Sequence, residues 1–256
     1  RAPGGVPSPV DEPARCRPCY TARVTREALF RKIEQGPWAA HRAWFERFVR
    51  PAIAIHVAPG RGRSHFNGSP DLPIGTAWPR HAHGPYRFLE QLDLADVPSR
   101  GSLPASGLLC LFVGDDPTGQ LVPDASFFWL SPGYALAHYV PDGTPTAPLT
   151  PPAEVAFGEE AALTFTETVD LPFDPFQANE WPFDLGDEAA YDALRATLHG
   201  REHLFGYPEH QSLFYHPTPE GMVPLLSGVV ARRARLVLAR RRLPDAVRGS
   251  GPARRR

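Results

Sequence analysis

Ser64-His65-Phe66-Asn67-Gly68-Ser69-Pro70-Asp71-Leu72-Pro73-Ile74-Gly75-Thr76-Ala77-Trp78-Pro79, followed after a short turn by Arg87-Phe88-Leu89-Glu90-Gln91, is the stretch that decides the fold. Gly68 is free to take positive φ, Pro70 and Pro73 each fix φ near about −65°, and Trp78 before Pro79 is driven into an extended conformation. The sequence therefore predicts a stiff, looping ribbon that loses less entropy on folding than a flexible loop would. Phe66, Leu72 and Trp78 are the anchors by which such a ribbon packs on a sheet. We call it the clasp.

These residues resemble the signature of the YwqG-like family of bacterial domains of unknown function (DUF1963). Ser64, Phe66, Gly68, Pro70, Leu72, Pro73, Trp78, Pro79, Phe88, Leu89 and Gln91 fall on its positions. So do Leu103-Pro104-Ala105-Ser106-Gly107-Leu108-Leu109 with Leu111-Phe112, and Leu204-Phe205-Gly206-Tyr207-Pro208 with Gln211. The likeness runs from Ile53 to Gln211. Asn67 stands where the family carries glycine, and Asn tolerates the left-handed region better than most residues. The resemblance implies an uncharacterised protein and brings no established activity with it.

The chain has 256 residues, enough for a large domain with a substantial core. No apolar run approaches the roughly 18 residues that span a membrane, and no charged-then-apolar leader is evident, so the expectation is a cytoplasmic protein. The formal net charge of −1 hides an asymmetry. Residues 228–256 hold ten of the 27 basic residues and one acid, Asp245, which leaves residues 1–227 at −10. An acidic body disfavours nucleic acid, whose binding depends on counterion release by Lys and Arg. Three cysteines make no disulfide framework: Cys110 reads as a small hydrophobe in a buried strand, and Cys16-Arg17-Pro18-Cys19 has no second pair to complete a metal site.

Helical signals lead the fold. Thr25 caps a helix carrying Ala28, Leu29 and Ile33, broken at Gly36-Pro37, and a second buries Trp38, Phe45, Phe48 and Val49. Strands are predicted around Ile53-Ile55, Tyr86-Leu92, Leu108–Val113, Phe127–Leu130, Leu136–Val140 and 160–169, with Pro141–Pro152 as loop. An acidic, aromatic loop, Leu171–Gly186, precedes a helix that Asp187 caps and Gly200 ends. The fold class is α+β, mainly antiparallel sheet with N-terminal helices. Phe66-Asn67-Gly68-Ser69-Pro70 before Phe88–Gln91 is echoed by Phe205-Gly206-Tyr207-Pro208 before Val223–Leu226, which suggests an internal duplication of two β-rich halves.

By composition, residues 1–23 form a disordered extension, 24–227 the YwqG-like domain, and 228–256 an Arg-rich, disordered tail. Family members continue with an aromatic Gly-Trp motif that this chain lacks. Reading GC-rich codons for Ala231–Arg242 one nucleotide later gives a sequence close to it, so the expectation is a tail translated out of frame.

Ser64, Trp78, Gln91, Trp181 and Gln211 are the candidate residues for binding a ligand or partner. A carboxamide offers both donor and acceptor, and a buried one needs several partners. Ser64 and His65 are neighbours on an extended strand and face opposite ways, so they make no nucleophile–base pair. His81 and His83 are the weak candidates for a zinc-assisted hydrolase, with no third ligand evident. No catalytic constellation gathers. The expected role is thus a non-catalytic protein- or peptide-binding module without cofactor, of the kind an immunity protein represents. Its contact surfaces would be the clasp and the acidic aromatic loop. The arginine tail is the only feature suited to nucleic acid or an anionic surface.

Overall fold

A computed structural model describes residues 24–99, 101–114, 132–155, 158–173, 178, 180–184, 187–198, 202–208, 222–230 and 234–241. Helices α1 (Arg26–Gln35) and α2 (Arg42–Phe48) come first, joined through a 3-10 turn at Ala39–His41, and α3 (Glu188–Arg195) comes late. The strands are β1 (Arg50–Pro59), β2 (His65–Phe66), β3 (Asp71–Pro73), β4 (Arg80–His81), β5 (Gly84–Pro85), β6 (Arg87–Asp93) and β7 (Leu108–Val113). They continue with β8 (Ala135–Val140), β9 (Thr146–Pro148), β10 (Ala161–Asp170), β11 (His203–Phe205), β12 (Met222–Val230) and β13 (Ala234–Arg241). The result is the α+β class expected. No helix among the described residues is long and apolar enough to cross a membrane.

Nine strands form one antiparallel sheet in the order β13-β12-β11-β1-β10-β2-β6-β7-β8. The order is nearly palindromic about the β1–β10 pair, which runs in register from Arg50↔Asp170 to Pro59↔Ala161. On one side of that pair β1 borders β11, and on the other β10 borders β2. Each opening strand therefore lies against the hairpin of the opposite half. Within the halves, His65 faces Gln91 and Phe66 faces Glu90, while His203 faces Ser227 and Leu204 faces Leu226. Two related β-rich halves that exchange their first strands account for this topology.

Three apolar clusters hold the sheet. One face carries Ile53, Ile55, Leu89, Leu92, Leu111, Leu163 and Leu204. The helices pack elsewhere, where Leu29, Ile33, Phe45 and Tyr191 meet Val169 and Leu171 at the end of β10. The third cluster lies under the clasp, with Leu72 on Phe88, Cys110 and Phe112, and Trp78 against it. All seven residues of β6 are consequently buried, because it is flanked on both edges and covered on both faces.

Thr25 caps α1 as expected, its hydroxyl accepting the Ala28 N–H at 3.2 Å. Asp187 stands at the start of α3 but makes no cap bond; its carboxylate instead accepts the N–H of Asp184 at 3.4 Å. The predicted loop Pro141–Pro152 contains β9, which the clasp recruits by pairing Asp71–Pro73 with Thr146–Pro148. At the end of the sheet, Ala234–Arg241 pairs with β12 as β7 pairs with β6. The predicted strand Phe127–Leu130 and the pair Cys16 and Cys19 lie outside the described residues.

Candidate binding cleft beside the clasp

Gln91 is the knot of the clasp. Its Oε1 accepts the Asp71 N–H at 2.7 Å and the Cys110 thiol at 3.5 Å. Its Nε2 donates to the Arg63 carbonyl at 2.8 Å and to Asp71 Oδ2 at 3.0 Å. A carboxamide has two donors and two acceptor lone pairs, so this fully buried side chain is saturated by the fold. Burial pushes the Cys110 thiol up to about 12, which keeps it a neutral donor to that amide.

Ser64 fixes the other strand end. Its hydroxyl, 2% exposed with the rest of the residue, accepts the Asp93 N–H at 2.8 Å. Asp93 then accepts from Ala95 N–H on one oxygen and from Arg63 Nε on the other. The Asp93 hydrogen bond and charge hold the Arg63 guanidinium above its ordinary pKa. Arg63 is thus pinned twice, through its backbone by Gln91 and through Nε by Asp93. Its Nη nitrogens bond to nothing among the described residues, and two thirds of its side chain is exposed.

Arg63 borders a cleft of about 260 Å³ that is also lined by Gly107, Val140, Asp142, Thr144 and Thr146. The clasp tip ties to this wall, Ile74 N–H donating to the Pro145 carbonyl at 3.2 Å. Tyr139 lies across Gly107, its hydroxyl on the Ser106 carbonyl at 3.0 Å. Ile74 and Tyr139, 71% and 41% exposed, are two of the three large hydrophobic residues left open to solvent among the described residues.

The turn that opens the clasp recurs at residues 203–208. His65 and His203 are both fully buried, and each donates a ring N–H to a backbone carbonyl, of Asn67 at 2.9 Å and of Tyr207 at 3.0 Å. Each has a carboxylate nearby, Glu160 at 3.7 Å and Asp170 at 3.6 Å, from the two ends of β10. In both, two successive residues have positive φ: Asn67 at 53° and Gly68 at 77°, Phe205 at 63° and Gly206 at 64°. The signal was present in the sequence as Arg63-Ser-His65-Phe-Asn-Gly68-Ser-Pro70-Asp71 against Arg201-Glu-His203-Leu-Phe-Gly206-Tyr-Pro208-Glu209. Alignment on the phenylalanines hid it; alignment on the histidines shows it.

The family model for a domain of unknown function, DUF1963, matches residues 64–219, more than half of the chain. The chain belongs to the DUF1963 family. Comparison with curated proteins returned no match. The clasp and the recurring turn at residues 203–208 of this DUF1963 chain fall within the matched span, and Arg63 immediately precedes it.

The remaining candidates are placed as follows. Trp78 is half-buried, donates from Nε1 to the Tyr86 carbonyl at 2.7 Å and meets Phe112 edge-on. Trp181 packs edge-on to Trp44, Phe183 and Tyr191, within about 5.5 Å of each. Of the aromatic loop expected to be exposed, Trp181 and Phe183 thus pack against the helical core, with Phe183 8% exposed. His81 and His83 lie at a β4–β5 turn with ring centroids 6.0 Å apart, and His81 meets Tyr86 edge-on. The described residues contain no group of three or more potential metal ligands. Gln211 lies outside the described residues.

Sequence reasoning passed over Glu90. It is fully buried, and neither carboxyl oxygen has a hydrogen-bond partner among the described residues. Burial, with Glu202 adding a like charge, pushes its carboxyl up to about 8. Glu90 sits beside a bulge in β6 opposite Leu111, among the leucines of the main cluster.

Proposed function

We propose that this DUF1963 chain is a non-catalytic binding module that recognises a protein or peptide at its clasp surface. The observation that carries the reading is Arg63, which lines a cleft, is held through its backbone and Nε, and has Nη atoms with no partner among the described residues. A preorganised guanidinium loses little entropy on binding, which favours a recognition site. Exposed Ile74 and Tyr139 beside that cleft add the apolar contact that protein interfaces use. Gln91 and Ser64 serve the site from behind by fixing Arg63 and Asp93, with no hydrogen-bonding capacity of Gln91 left for a ligand.

Photo-crosslinking tests this. Full-length chain carrying a photoreactive residue at Ile74 or Tyr139, expressed in its own host, should capture one stoichiometric polypeptide, with cross-links mapping to the clasp face. A control residue at Val57, distant in the chain and also exposed, should capture none. Recovery of a small molecule turned over by the protein, with no polypeptide, sinks the reading.

A further inference from the structure

The Arg63 cleft joins two opposite charges in a space the size of one residue. Arg63, whose Nη atoms have no partner among the described residues, and Asp142, with no hydrogen-bond or ion-pair partner among them, both line it. Thr144 and Thr146 line it too. The nearby charges are already matched: Asp93 holds Arg63 Nε, and Arg61 bridges Asp71 and Glu160 at 2.8 and 3.0 Å. What is left for a ligand is one cationic fork and one anion that act on each other through space without a direct bond, the Asp142 charge being among those that raise the Arg63 pKa. A guanidinium whose Nη atoms are both open suits a planar carboxylate bidentately. Asp142 disfavours a lone multivalent anion and favours a ligand that brings its own cation.

We infer that this cleft binds the carboxy-terminal residue of a polypeptide with a basic side chain, its α-carboxylate on Arg63 and its side-chain cation on Asp142. This rests on the reading of the chain as a protein- or peptide-binding module. Size supports it, because about 260 Å³ is below the roughly 300–1,000 Å³ typical of sites for drug-sized ligands and cofactors. Charge supports it too, since residues 1–227 carry −10 and attract a basic partner. Ile74 and Tyr139 lie outside the cleft, where the preceding residues of that polypeptide would pass.

The test is titration calorimetry of the full chain against four probes: a short peptide ending in lysine as the free acid, the same peptide amidated, the same peptide ending in alanine, and free lysine. The free acid should bind, and amidation or the change to alanine should each weaken it about tenfold, the scale of a single charge-assisted contact. Arg63→Lys keeps a cation for Asp93 but loses the fork, and should erase the acid-to-amide difference. Asp142→Asn, at an exposed turn, should erase the lysine-to-alanine difference. Equal binding of acid and amide overturns the assignment of the carboxylate to Arg63. Free lysine binding as tightly as the peptide overturns a polypeptide source. If no probe binds while the cross-linked partner is still captured, the cleft assignment fails and the binding module stands; if the partner is absent as well, both fail.

Discussion

The carboxylate of Asp170 occupies the space where a β-carbon on Gly206 would stand, 2.6 Å from Oδ2. Asp170 cannot yield that space, because it is fully buried and its oxygens accept the N–H groups of Leu171 at 2.7 Å and Tyr207 at 2.6 Å. Gly68 meets Glu160 in the same way, but there the intruding atom is the far end of a longer, partly exposed side chain that can swing aside.

Alanine at the two glycines should therefore cost different amounts. Gly68→Ala carries the positive-φ penalty, about 1–2 kcal/mol. Gly206→Ala adds a clash with an immobile carboxylate and should lose about 3 kcal/mol or more. Urea melts of the two variants decide it, and equal losses would show that Asp170 relaxes as readily as Glu160.

Gln91 has no unused hydrogen bond, so its replacement strands its partners. Gln91→Leu should cost about 2–4 kcal/mol, since the buried Asp71 N–H and Arg63 carbonyl lose their acceptor and donor. Gln91→Glu should be worse as pH rises, because a second carboxylate would then face Asp71 Oδ2, at present 3.0 Å from Nε2. Thermal melts at pH 5 and pH 8 measure both effects. A Gln91→Glu variant that melts like the parent at pH 8 would remove Gln91 from the centre of the clasp.

Much of this architecture was legible in the sequence. Thr25, Gly36 and the Leu108–Val113 run are local signals, and local signals survive into the fold. The clasp was legible because proline and glycine restrict the backbone before any tertiary contact forms. The cleft was not, because Arg63, Asp93 and Asp142 come from three segments that only the β3–β9 pairing and the β6 register bring together. The aromatic loop misled for the opposite reason. Its acids suggest solvent, while Phe183 and Trp181 turn inward onto Trp44 and Tyr191.

Glu90 makes stability depend on pH. An unfolded glutamate ionises near 4.5, whereas in the fold the carboxyl stays protonated until about 8. The folded chain thus holds a proton that the unfolded chain has released, and stability falls as pH rises through that window. The full loss is on the order of 4 kcal/mol. His65 acts at the other end: burial lowers its pKa, so the unfolded chain takes up protons below about 6.5 that the fold refuses. The two trends oppose each other between about 4.5 and 6.5, so the net decline lies above about 6.5, and Glu90→Gln should remove it. Melting temperatures from pH 4.5 to 9 read this directly, and an unchanged alkaline limb in the variant would assign the decline to another group.

Trp181 separates a core role from a contact role. Its ring touches Trp44, Phe183 and Tyr191, and through them the contact between α2, α3 and the end of β10. Truncation to alanine leaves a void among Trp44, Phe183 and Tyr191, and should cost about 2–3 kcal/mol with loss of near-ultraviolet circular dichroism. Trp181→Phe keeps most of the edge-on contacts and should recover most of that loss. Neither change reaches the Arg63 cleft, so binding of the lysine-ended peptide should be unaltered wherever the variant remains folded. A Trp181→Ala protein that melts like the parent but no longer captures its partner would move the recognition surface from the clasp to the aromatic loop.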